Sequence, residues 1–164
     1  MSLSNFKSIE YPETQEQEHI LEQYKLYIQS AEKVSDRRHN VNKFYSSLAT
    51  SIAGVIGYVK TNNLKNDQYL ILVLSISAIL ACIYWLNLLE NYRKLNLAKF
   101  NVIHEIENLL PLRLFDFEWE KLGRAKDKML YKKMSSIEKG IPIIFVALFL
   151  FMIIAEVLEL CCKC

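Results

Sequence analysis

The stretch Tyr69–Pro111, YLILVLSISAILACIYWLNLLENYRKLNLAKFNVIHEIENLLP, decides the fold. Its first twenty-one residues, Tyr69 to Leu89, carry no charge, and no Gly or Pro interrupts the run before Pro111. About 20 apolar residues at 1.5 Å rise is what a hydrocarbon layer roughly 30 Å thick requires. Beyond Leu89 the chain becomes charged but keeps a helical spacing, with Tyr92, Leu95, Lys99, Ile103, Ile106 and Leu110 three to four apart. The pattern predicts one helix over 68–110 whose membrane part is 69–89 and whose remainder projects into the cytoplasm. Pro111 is its stop, because proline lacks the N–H and biases its predecessor away from the α region. A soluble protein would need enough chain to cover every face of this helix, and 164 residues with two further apolar runs do not supply it.

Composition agrees. The chain is 52% hydrophobic with only four Gly and three Pro, which fits an all-α membrane protein forming a single domain over 1–164. The first forty residues are polar and charged, so no cleavable signal peptide is expected.

Working outward toward the N-terminus, Thr14-Gln15-Glu16-Gln17 has the spacing of a capping box. It predicts an amphipathic cytoplasmic helix over 13–43 with Ile20, Tyr24, Ile28, Ala31, Val34, Arg38 and Val41 along one stripe. Such a stripe serves packing within the chain or against neighbouring subunits, and the residues leave both open. The segment 44–59, FYSSLATSIAGVIGYV, is a second membrane candidate bounded by Lys43 and Lys60, which can snorkel. Ser47, Thr50, Ser51, Gly54 and Gly57 make it small and polar on one side. Small residues at four-residue spacing suit close helix approach, and hydroxyls also suit the wall of a water-filled path. If a path exists, it is expected on this face. The Tyr69–Leu89 helix offers only Ser75, Ser77 and Asn87 among Leu and Ile pointing in nearly every direction.

Residues 61–68 form a polar turn in which Asp67 is a suitable N-cap for the long helix. The resulting hairpin places Tyr58 and Tyr69 at one membrane interface and Phe44, Tyr45, Tyr84 and Trp85 near the other. After Pro111, residues 112–138 are polar, basic and helical in pattern, with Asp116 as a cap for a helix carrying Trp119, Leu122 and Leu130. Ser135 to Glu138 repeats the capping-box spacing ahead of a third apolar segment, 141–158, in which Pro142 marks a kink or an interfacial end. Six Lys and Arg lie in 1–43, two in 60–67, eleven in 90–140 and one at Lys163. Counted as positive-inside, this puts the N-terminus in the cytoplasm of a multi-pass, inner-membrane protein with two to three membrane segments.

Chemistry-bearing groups are sparse. Cys82 is a mid-membrane filler, and Cys161, Cys162 and Cys164 form a terminal CCKC without the further ligands a metal would need. His19, His39 and His104 have no nucleophilic or metal-ligand partner at a suitable spacing. Ribonucleases built on paired HEPN helices need Arg and His four to six apart, whereas Arg37 and Arg38 abut His39, and Arg93 precedes His104 by eleven. No catalytic residue, metal or cofactor is expected. More suggestive is a juxtamembrane set, Arg93, Asn96, Lys99, Glu107 and Glu118, which fits either a solvated ring near lipid phosphates or an ion-pair network between subunits.

The blocks YKLYIQSAEKVSDRRHNVNKFYSSL from Tyr24, WLNLLENYRKLNLAKFNVIHEIENLLP from Trp85 and FEWEKL from Phe117 resemble the RipA-like family of bacterial octameric membrane proteins. The residues carrying the likeness include Tyr24, Tyr27, Arg37, Arg38, Trp85, Tyr92, Arg93, Asn96, Lys99, Glu107, Pro111, Glu118 and Trp119. That family includes the membrane accessory protein of type VI-B CRISPR systems, which accompanies an RNA-guided RNase. The resemblance implies that this chain is that accessory protein or a close relative. It implies a ring of eight, pore-like, that lowers membrane potential during phage infection. A protomer with so few crossings encloses no path alone, so a channel requires such a ring. The other function open to the sequence is a non-conducting scaffold or receptor whose basic 90–140 region docks a cytoplasmic partner or RNA.

Overall fold

The computed structural model describes residues 13–62, 67–122 and 137–163, and among these every regular element is helical. The elements are α1 (Glu13–Asn62), α2 (Asp67–Glu107), α3 (Leu114–Lys121) and α4 (Gly140–Lys163). Turn residues 63–66, the serines of the second capping box and Cys164 lie outside the described residues, as does the basic stretch 123–136.

The stretches 13–43 and 44–59 are one continuous helix of 50 residues. Only hydropathy changes at Lys43; no Gly or Pro gives the backbone a reason to break there. α2 runs 41 residues, roughly 60 Å at 1.5 Å per residue. The Asp67 carboxylate accepts from the Gln68 N–H at 2.8 Å at its start. Its helical bonding ends at Glu107, three residues short of Leu110. There Leu109 N–H bonds Ile106 O at 2.9 Å and Leu110 N–H bonds Glu107 O at 3.1 Å, tightening the exit ahead of Pro111. In α4, Pro142 falls in the first turn, where its missing N–H removes no intrahelical bond, so the helix runs through it. Among the described residues two helices, α2 and α4, are long and apolar enough to cross a membrane.

The chain divides into two compact units, one from residues 39–90 and 134–164, the other from 1–38 and 91–133. The division falls where α2 turns from uncharged to charged sequence. In the apolar unit, Ala49, Ile56 and Val59 of α1, Ile71, Ala78 and Cys82 of α2, and Phe149 of α4 form the core. Ala49 and Ala78 are small enough to let the helices approach closely. The fully buried Trp85 donates its indole N–H to Asn42 Oδ1 at 2.9 Å and stacks on Tyr45 with ring centroids 5.9 Å apart. Phe44 and Tyr84 join the same aromatic group, while Tyr58 and Tyr69 are both exposed. Ion pairs tie both ends of this unit: Lys139 to Glu90 at 2.6 Å, and Lys60 to Glu156 at 2.7 Å and Glu159 at 3.0 Å. Val73, Leu80, Ile144 and Phe151 stay exposed, a surface that suits lipid or other subunits rather than water.

In the polar unit, Ala31 and Val34 of α1 and Ile103 and Ile106 of α2 are buried. The α1 stripe expected from spacing is the buried one, with Ile20, Tyr24, Ile28 and Arg38 half-buried beside those two, while Glu18, Glu22, Lys25 and Lys33 face solvent. On α2 the inward position is Asn96 rather than Leu95, which is exposed.

Candidate functional site: an open hydroxyl face and a buried carboxylate hub

Around α1 within the apolar unit, successive residues advance by about 100°, which sorts its side chains into three arcs. Ala49, Ile56 and Val59 are buried. Phe44, Leu48 and Val55 are bulky, apolar and exposed. Between these arcs lie Ser47, Thr50, Ser51, Gly54 and Gly57, all five exposed. The protomer's own packing does not use this face. A Cβ added at Gly54 or Gly57 would meet nothing within 4 Å. Each helical Gly costs ~1 kcal/mol relative to Ala, and no contact within the protomer offsets that cost at these two positions. Thr50 donates its hydroxyl to Ser46 O at 2.9 Å, which satisfies the proton and leaves oxygen lone pairs outward.

The residues of the expected juxtamembrane network are differently joined. Glu107 is fully buried at the end of α2 and accepts from Tyr24 OH at 3.0 Å, Phe115 N–H at 2.8 Å and Asp116 N–H at 3.2 Å. It therefore caps α3 from another helix, holds α1, and places its charge at a helix N-terminus, where the dipole favours an anion. Asp116, expected as the cap, sits inside the first turn of α3, and the residue at the N-cap, Arg113, makes no side-chain cap. His104 Nδ1 lies 3.5 Å from Glu107 Oε2, too far for an ordinary hydrogen bond, and has no other partner. Lys99 is engaged by Ser30 Oγ at 2.8 Å and the Tyr27 ring at 4.7 Å, not by Glu107. Asn96 Oδ1 is buried without a hydrogen-bond partner, Arg93 is half-buried, and Glu118 is exposed on α3. Burial together with the bond to Glu107 pushes the Tyr24 hydroxyl up to about 12.

Glu156, within the third apolar segment, was not singled out from the sequence; it is nearly fully buried, paired with Lys60, with its second oxygen unpartnered. An acid surrounded by apolar residues at the end of a candidate span is the signal that could have marked it. Among the exposed groups are Cys161 and Cys162, while Cys82 is buried.

No curated protein and no solved structure matches the chain significantly. Residues 21–158 match the model of the octameric membrane protein family (8xMP), a span that takes in both units, the open hydroxyl face and the Glu107 hub, and the chain belongs to that family.

Proposed function

We propose that the protein is a depolarising pore of a bacterial inner membrane, acting in CRISPR-linked antiviral defence alongside an RNA-guided RNase. Eight copies close a ring with the N-terminus and the 90–140 region in the cytoplasm, and the activity is non-catalytic. The observation that carries the reading is the exposed Ser47, Thr50, Ser51, Gly54 and Gly57 face of α1. In an octameric membrane family, such a face meets either a neighbouring subunit or water, and hydroxyls beside open glycines suit water and passing ions. The CRISPR link rests on the resemblance of the Tyr24, Trp85 and Phe117 blocks.

The test is a membrane-potential dye in cells carrying the protein with and without an activated RNA-guided RNase. Wild type is expected to depolarise only with the activated partner. Thr50→Leu is expected to abolish depolarisation while native mass measurement still finds the octamer. Loss of the octamer instead makes the face a packing surface. No depolarisation by wild type favours the non-conducting scaffold.

A further inference from the structure

The polar unit carries two features that its own packing does not explain. The first is a groove of about 410 Å³ lined by Gln23, Leu26 and Tyr27 of α1 and Val102 and Ile106 of α2. Leu26 at its edge is 65% exposed. The second is the corner where α2 passes into α3, which presents Leu109, Leu112, Leu114 and Phe117, each about 60% exposed or more. A short, polar helical corner has no reason to display four large apolar side chains to water.

We infer that these two features are the two halves of one subunit contact: the α2–α3 corner of one copy seats in the α1/α2 groove of the next. The occupant is a second copy of this chain because the family is octameric, and a ring of eight needs a heterologous contact, with two different, complementary patches on every protomer. Two observations fit the patches to that role. Cyclic symmetry moves nothing along its axis, so with helices running along the axis the patches must lie at the same level. They do: the Phe115 ring packs 6.0 Å from Phe100 and its N–H bonds Glu107, which holds α3 beside the same turns of α2 that carry Val102 and Ile106.

The patches must also lie on different flanks. Val102 follows Phe100 by two residues, about 200° around the helix, so the groove and the α3 side of α2 face apart. The hub gives the corner its rigidity, since Glu107 fixes the first turn of α3 through two backbone bonds. This contact needs the octameric assembly of the family but not the proposed conduction, and holds whether or not the ring conducts.

The experiment places a photoreactive benzoylphenylalanine in place of Leu26 in the full-length protein, irradiates native membranes, and maps the cross-linked dimer by mass spectrometry. The expected adduct joins position 26 to residues 109–121 of a second copy. Introducing Phe117→Asp, a change at an exposed side chain, is expected to lower the dimer yield at least about tenfold with membrane insertion unchanged. An adduct between two copies of α1, an adduct elsewhere, the absence of an intermolecular adduct, or an undiminished yield with Phe117→Asp overturns the inference.

Discussion

Among the described residues each unit buries one carboxylate, and the two are held in opposite ways. Glu107 in the polar unit is surrounded by donors that stay neutral, Tyr24 OH and the Phe115 and Asp116 N–H groups. Glu156 in the apolar unit is matched by a full positive charge on Lys60, whose side chain is 41% exposed, and one of its oxygens has no hydrogen-bond partner. Removing Glu107 leaves three half-buried donors without their acceptor. Removing Glu156 frees a lysine that can turn to water and still reach Glu159. Burial alone therefore says little about what a carboxylate contributes; what its partners do in its absence decides.

The largest effect that sharpens this contrast is expected at Glu107. Glu107→Ala should destabilise the protein by ~3–5 kcal/mol in thermal or chemical unfolding of the detergent-solubilised protein. Glu156→Ala should cost only ~1 kcal/mol, because the remaining lysine is exposed enough to be rehydrated. An equal loss at both positions breaks the comparison. Next comes the apolar unit's own buried polar contact. Trp85→Phe keeps a ring against Tyr45 but leaves Asn42 Oδ1 without its donor, for an expected loss of ~1–2 kcal/mol in the same measurement.

Tyr24→Phe should cost about 1 kcal/mol at neutral pH, since Glu107 keeps its two backbone donors. Its signature is alkaline. The Tyr24 proton is held in the folded state from an ordinary 10.0 up to about 12, so the folded protein binds more proton than the unfolded one in that window. Stability from this group is complete below pH 10 and is lost as pH rises toward 12, and Tyr24→Phe should flatten that part of the pH–stability curve. A variant with an unchanged alkaline slope would show that Tyr24 is not the titrating group. The smallest stability effect is expected at Gly57→Ala, within ~1 kcal/mol and toward stabilisation, since the added methyl meets nothing within 4 Å in the protomer. A marked loss of octamer in native mass measurement would show that a neighbouring subunit fills that space.

Much of the helix pattern was legible in the sequence because hydropathy and spacing are local. The α1 stripe from Ile20 to Arg38 is inward because residues three and four apart share a face whatever they pack against. The long uncharged run of α2 reads as helical because a helix is the one form in which a single segment of that length satisfies its own backbone hydrogen bonds in a bilayer. Leu95 was less legible: periodicity places it near the boundary of the stripe, and packing put Asn96 inward instead.

By itself, then, the sequence determined the helical class, the apolar and charged halves, and the small polar character of the 47–57 face. Tertiary structure decided which faces the protomer covers and which it leaves open, and it decided the partners of every buried charge. Lys99 took Ser30 and Tyr27, Glu107 took Tyr24 and the start of α3, and Glu156 took Lys60 across 96 positions of chain. The physical reason is that hydropathy is a property of each residue and its near neighbours. Satisfying a buried hydrogen bond or charge depends instead on which helices meet, a relation between distant segments that no local spacing encodes.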